Sequence, residues 1–250
     1  MPRRRAERQQ EKEEFLQQNP ELIRVETRIE VVTTEGEDGE DTDIDVEISQ
    51  EGFPPETLDL DDPLEFENGF LVDDLSLFPF AIIAGDGLNL SNLDDEPDQA
   101  LLSITESGFG VASRDELNID PDADGEDLSV DIVESDEDDE LPDGAGTISD
   151  DEGLFILSFA ASSLGIDFMV TGRGSVQLTA GLIGEDDGDE ELVTEVFQTP
   201  RGAEPGDIFR LEIEDPEDFL FGTVLTTTGT AEVTVLGIDI ETPGELLFFN

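Results

Sequence analysis

The segment "IRVETRIEVV" sets the terms for the whole chain: Ile23, Val25, Thr27, Ile29 and Val31 alternate with Arg24, Glu26, Arg28 and Glu30. A strict period of two matches the pleat of an extended backbone, in which successive side chains point to opposite faces. Such a segment becomes stable only when its apolar face packs on another element and its charged face meets water. The same alternation returns in "DIDVEIS" (43–49), "SVQLTAGL" (175–182), "IFRLEI" (208–213) and "AEVTVLGIDIE" (231–241). Between these runs lie turn-forming clusters such as "EGEDGED", "GEDDGDE" and "TPRGAEPGD".

About twelve to fifteen short strands are expected, and no long helix. That is an all-β chain, read as an antiparallel β-sandwich or jelly-roll-like fold. Two longer apolar runs, "LSLFPFAIIAG" (75–85) and "GLFILSFAASSLGIDFMV" (153–170), read as paired buried strands. The first is too short to cross a bilayer, and the second carries Gly165 and the charged Asp167. Only residues 5–18 are rich in helix formers, and that stretch ends near Asn19-Pro20. With Phe15 and Leu16 as its sizeable apolar residues, it cannot bury a face of its own and describes a short helical or extended arm over 1–22. Residues 134–152 are dense in carboxylates and read as a linker or loop. The body is then either two β-sandwich regions, 23–133 and 153–250, or a single β domain over 23–250.

Charge decides the environment. The chain has 67 acidic residues against 11 basic ones, a formal net charge of −56. In dilute buffer that density of like charge opposes compaction; at molar salt the screening length falls to about 3 Å and most of the repulsion is removed. High charge with modest hydrophobicity is also the composition of disorder, but here the apolar residues are periodic. Ten of the eleven cations are Arg, the single lysine being Lys12, and Phe is the only aromatic type. In these respects the chain resembles proteins of extremely halophilic archaea and of the viruses that infect them. The resemblance is compositional, covers essentially the whole chain and implies a habitat: a hypersaline medium.

The charge is uneven. Residues 1–28 hold seven cations against six glutamates, whereas the remainder holds Arg114, Arg173, Arg201 and Arg210 against 61 acids. The tip of the arm, with Arg3, Arg4, Arg5, Arg8 and Lys12, suits an acidic neighbour, nucleic acid or an inner membrane surface. The four later arginines are expected to make bidentate carboxylate contacts, within the chain or, as assembly salt bridges, between copies.

The chain has no His and no Cys. Histidine- or cysteine-dependent triads and disulfides are therefore excluded. No phosphate-binding loop ending in GK[ST] occurs. Two carboxylates suffice for glycoside hydrolysis, but the flat Trp and Tyr surfaces that sugars favour are missing, and an enzyme is the least favoured class.

One motif carries metal chemistry. In "DPDADGEDLSVD", Asp120, Asp122 and Asp124 occupy positions 1, 3 and 5, Gly125 position 6 and Asp131 position 12. That resembles an EF-hand calcium loop, with Glu126 offering its backbone carbonyl. Asp stands where the family's bidentate Glu belongs, Asp127 replaces an apolar residue, and no flanking helices are expected. A weak structural site for Ca²⁺ or another hard cation is the reading; no cofactor is required.

The function expected is a structural protein that self-assembles in brine, such as a shell, turret or tail component of a virion. Its architecture and basic arm resemble those of viral shell proteins. The partners implied are further copies of the chain and other structural proteins of the same assembly, and the location is the virion, made in the host cytoplasm. The alternative is a cell-surface, adhesion or cytoplasmic binding β-module of a halophile.

Overall fold

The computed structural model describes residues 24–35, 42–50, 53–58, 66–67, 70–73, 80–86, 98–113, 146–150, 152–183, 190–214 and 219–243. Fifteen strands run through them and no helix occurs among the described residues. In chain order they are β1 (Arg24–Glu35), β2 (Thr42–Gln50), β3 (Glu56–Leu58), β4 (Phe66–Glu67), β5 (Phe70–Asp73), β6 (Phe80–Asp86), β7 (Asp98–Thr105) and β8 (Gly108–Ser113). After the acidic segment follow β9 (Glu152–Ala161), β10 (Ser163–Thr171), β11 (Gly174–Ile183), β12 (Glu190–Gln198), β13 (Ile208–Glu214), β14 (Phe219–Gly229) and β15 (Glu232–Pro243).

The strand pairings are antiparallel and form two sheets. The first runs β13-β10-β15-β1-β2-β3, with β8 also on β15 and β7 beyond it. The second runs β12-β11-β14-β9-β6-β5-β4. A short β6–β7 pairing at Gly85–Gln99 and Asp86–Asp98 joins them, so the whole is one curled, all-β structure. The arm (1–22), the Asp120–Asp131 loop and Arg114 lie outside the described residues.

Alternation explains the core. Val25 and Ile29 of β1, Val46 and Ile48 of β2, and Val176, Leu178, Ala180 and Leu182 of β11 are buried, as their period-two spacing requires. Side chains from both sheets share one apolar cluster that includes Ile29, Ile82, Phe109, Ile156, Phe168 and Leu225. Each fully buried Leu, Ile or Phe contributes about 1.5–3 kcal/mol. At one end of the core Phe197 of β12 meets Phe168 of β10 edge-on at 5.4 Å and Phe209 of β13 at 4.7 Å.

The apolar run 153–170 forms two buried strands that do not pair with each other. β9 pairs with β14 and β6, whereas β10 pairs with β15 and β13. A hairpin needs at least two loop residues, and only Ser162 separates these strands. Its N–H donates to the Glu241 carbonyl at 2.8 Å, and the chain crosses there from the second sheet to the first. Within the acidic segment, Gly146–Asp150 makes bridges to Val111, Val233 and Thr227, and Ile148 is fully buried between the first two.

In β15 the register against β10 shifts between Asp167 and Phe168. Leu236 is the extra residue. Burial falls at 233 and 235 before it and at 238, 240 and 242 after it, so the bulge reverses which parity faces inward. That reversal brings Gly237, Asp239 and Glu241 to the outer face.

Candidate functional site

Outward residues of β1, β15, β10 and β13 converge in the middle of the first sheet. Register places Arg28 directly opposite Asp239, and Asp167 directly opposite Arg210. The two aspartates sit diagonally on the adjoining strands β15 and β10, where Asp239 faces Gly165 and Asp167 faces Gly237. The glycines matter because they have no side chain. A Cβ on Gly237 would strike the Arg28 guanidinium, and one on Gly165 would strike that of Arg210. Each arginine therefore lies flat across a glycine and reaches a second carboxylate beyond it.

The result is a closed quartet. Arg28 Nη1 donates to Asp167 Oδ2 at 2.6 Å and to Asp239 Oδ2 at 2.9 Å; Arg210 Nη1 donates to Asp239 Oδ2 at 2.5 Å and to Asp167 Oδ1 at 3.1 Å. Glu30 and Glu212 flank it, accepting from the Nε atoms of Arg28 and Arg210 at 3.3 and 3.4 Å. Beyond the quartet, Arg24 pairs with Glu241 at 2.6 Å. The bidentate fork expected at Arg210 gives way to a bridge through one nitrogen, because the register sets its two carboxylates on either side of it.

Partial burial works against charge on both guanidiniums, but the hydrogen bonds and charges of Asp167 and Asp239 outweigh it and raise both pKa values. Partial burial likewise pushes the Asp167 carboxyl up, and the hydrogen bonds from Arg28 and Arg210 overcome this and hold it below the ordinary range. These three groups thus stay ionised at neutral pH. Beside the quartet lies a hollow of about 460 Å³ whose lining includes Glu26, Ser49, Ser163, Glu212 and Glu241.

Of the four arginines expected in carboxylate contacts, Arg210 is engaged inside the chain. Arg173, in the β10–β11 turn, and Arg201, in the turn after β12, are exposed and form no ion pair with another described residue. Both stand at one end of the molecule, where the Thr199 N–H donates to the Gly174 carbonyl at 3.1 Å. Among the described residues no group of three or more acidic side chains is arranged to hold a metal ion.

The outer face of the second sheet is different in kind. Among residues whose side chains are described, its outward positions are Leu192, Thr194, Val196 and Gln198 on β12; Ser175, Gln177, Thr179 and Gly181 on β11; and Gly222, Val224, Thr226 and Thr228 on β14. They continue through Gly153, Phe155 and Leu157 on β9 to Ala81, Ile83 and Gly85 on β6. None of these is charged. Phe155 lies over Gly222, where a Cβ would meet its ring at 2.7 Å, and packs with Val224, Ile83 and Leu157. At the β12 edge, Leu192 and Val196 are 55% and 48% exposed.

Neither the scan of known protein families nor the comparison with curated protein sequences finds a match to this chain.

Proposed function

We propose that this protein is a non-enzymatic structural component that self-assembles in high salt, forming part of a virion shell or appendage exposed to a hypersaline medium. In that reading the two sheets act as a sandwich of jelly-roll type, and the basic-tipped segment 1–22 contacts neighbouring subunits or internal components. The observation that carries the proposal is the disposition of cations. Arg24, Arg28 and Arg210 are paired on the body, while Arg173 and Arg201 stand exposed at one end without a carboxylate among the described residues, in a chain with 67 acids. Exposed cations of this kind fit the carboxylates of another copy.

The test is light scattering on size-fractionated protein in molar KCl, for the full chain and for an Arg173→Gln, Arg201→Gln double variant. The full chain is expected to form discrete oligomers at high protein concentration, and the double variant to need roughly ten-fold more protein to do so, as for about 1.4 kcal/mol of lost contact. A full chain that stays monomeric at every concentration and salt level overturns the proposal.

A further inference from the structure

If copies of this chain assemble, they must meet somewhere that does not press carboxylates together. The geometry points to the free edge of β12 as an isologous contact, in which β12 of one copy pairs antiparallel with β12 of a second, centred on Thr194. This rests on the self-assembly reading and names the surface that performs it.

Four observations lead there. First, among the described residues β12 ends the second sheet and pairs only with β11. Second, the Thr199 N–H points at β11, donating to the Gly174 carbonyl. Because backbone polar groups alternate sides along a strand, those of residues 193, 195 and 197 also face β11, and those of Leu192, Thr194 and Val196 face outward. An exposed row of such groups is a template for another strand. Third, the outward side chains beside that edge, Leu192, Thr194 and Val196, continue the uncharged outer face, so pairing would extend that face across two copies.

Fourth, charge discriminates among the three central registers. A two-fold axis perpendicular to the sheet allows only registers that place like residues across the axis. Centred on Thr194, Leu192 faces the second copy's Val196, Val193 faces Glu195, Glu191 faces Phe197 and Glu190 faces Gln198. No glutamate meets another. Centring on Val193 sets Glu191 against Glu195, and centring on Glu195 sets that residue against itself. In a chain of net charge −56, this is the one of the three central registers, on Val193, Thr194 or Glu195, in which two copies avoid direct repulsion along the new ladder.

The absence of cysteine gives a clean assay. In the full chain in molar KCl, Thr194→Cys would bring two thiols across the axis, with Cα atoms about 5.5 Å apart and within disulfide reach. Gln198→Cys would hold them about 27 Å apart, eight residues along the strand. Under mild oxidation the expected result is roughly ten-fold more covalent dimer from Thr194→Cys than from Gln198→Cys, an effective-concentration effect. Thr194→Pro, which removes the central outward N–H, should abolish the non-covalent dimer. If light scattering shows oligomers but the two cysteine variants cross-link alike, the β12 contact is wrong and the assembly reading survives. If the chain is monomeric throughout, both fall.

Discussion

The outer faces of the two sheets share a strand geometry, yet one is organised around charge and the described outward side chains of the other carry none. On the first, Arg28, Arg210, Asp167 and Asp239 form a closed quartet with Glu30 and Glu212 at its margins. On the second, no outward residue of β6, β9, β11, β12 or β14 with a described side chain is charged, and Phe155 and Val224 are only 5% and 2% exposed. The contrast teaches that the acidity of the chain is not a uniform coat. Two of its scarce arginines are spent neutralising carboxylates where four strands bring them together, and the described outward positions of the other sheet are uncharged by composition.

The largest test of this contrast puts a charge where none occurs. Val224→Glu should destabilise the protein by about 3–5 kcal/mol, because the carboxylate has neither water nor a cation beside Phe155. Ser49→Glu on the first sheet should change stability by less than about 0.5 kcal/mol. Thermal unfolding followed by circular dichroism in molar KCl compares them; equal midpoints would dissolve the distinction between the faces. Next in size, Arg28→Met should cost about 2 kcal/mol, since it leaves Asp167 and Asp239 facing one another with only Arg210 between them. A double-mutant cycle with Asp167→Asn should show coupling of about 1 kcal/mol, and additivity would mean the quartet is a set of independent surface pairs.

The smallest effect is in acid. The Asp167 carboxyl is lowered in the folded state, so its contribution is fully present above the unfolded value of about 3.9 and is lost as pH falls through the folded value. Between pH 5 and 2 the stability of Asp167→Asn should therefore fall less steeply than that of the parent, by about 1 kcal/mol at most given the partial exposure of the group. Superimposable curves would remove Asp167 from the account.

Much of the fold is legible in the sequence, because alternation is a local signal. The five period-two runs around residues 23–32, 43–49, 175–182, 208–213 and 231–241 are β1, β2, β11, β13 and β15. Continuous apolar runs are less informative, since a strand buried on both faces does not announce its partner. The one-residue spacing at Ser162 is the clue that β9 and β10 belong to different sheets. The quartet is harder to find. Residues 28, 167, 210 and 239 are far apart in the chain and meet only through three registers and a bulge at Leu236. Its signal is oblique: Gly165 and Gly237 sit inside otherwise regular strands, and a glycine there marks a close approach by something else. The Asp120–Asp131 loop and the arm, prominent in sequence, lie outside the described residues.

β15 is the last strand of the described body to leave the ribosome, and it touches β1, β8 and β10 as well as the bridge at Ile148. A nascent chain halted before residue 232 would present three unfinished strands at once, Val25 and Ile29 among their uncovered side chains. Maturation of this molecule is thus an all-or-nothing event that waits on β15, and removing β15 should yield aggregates rather than a smaller folded unit.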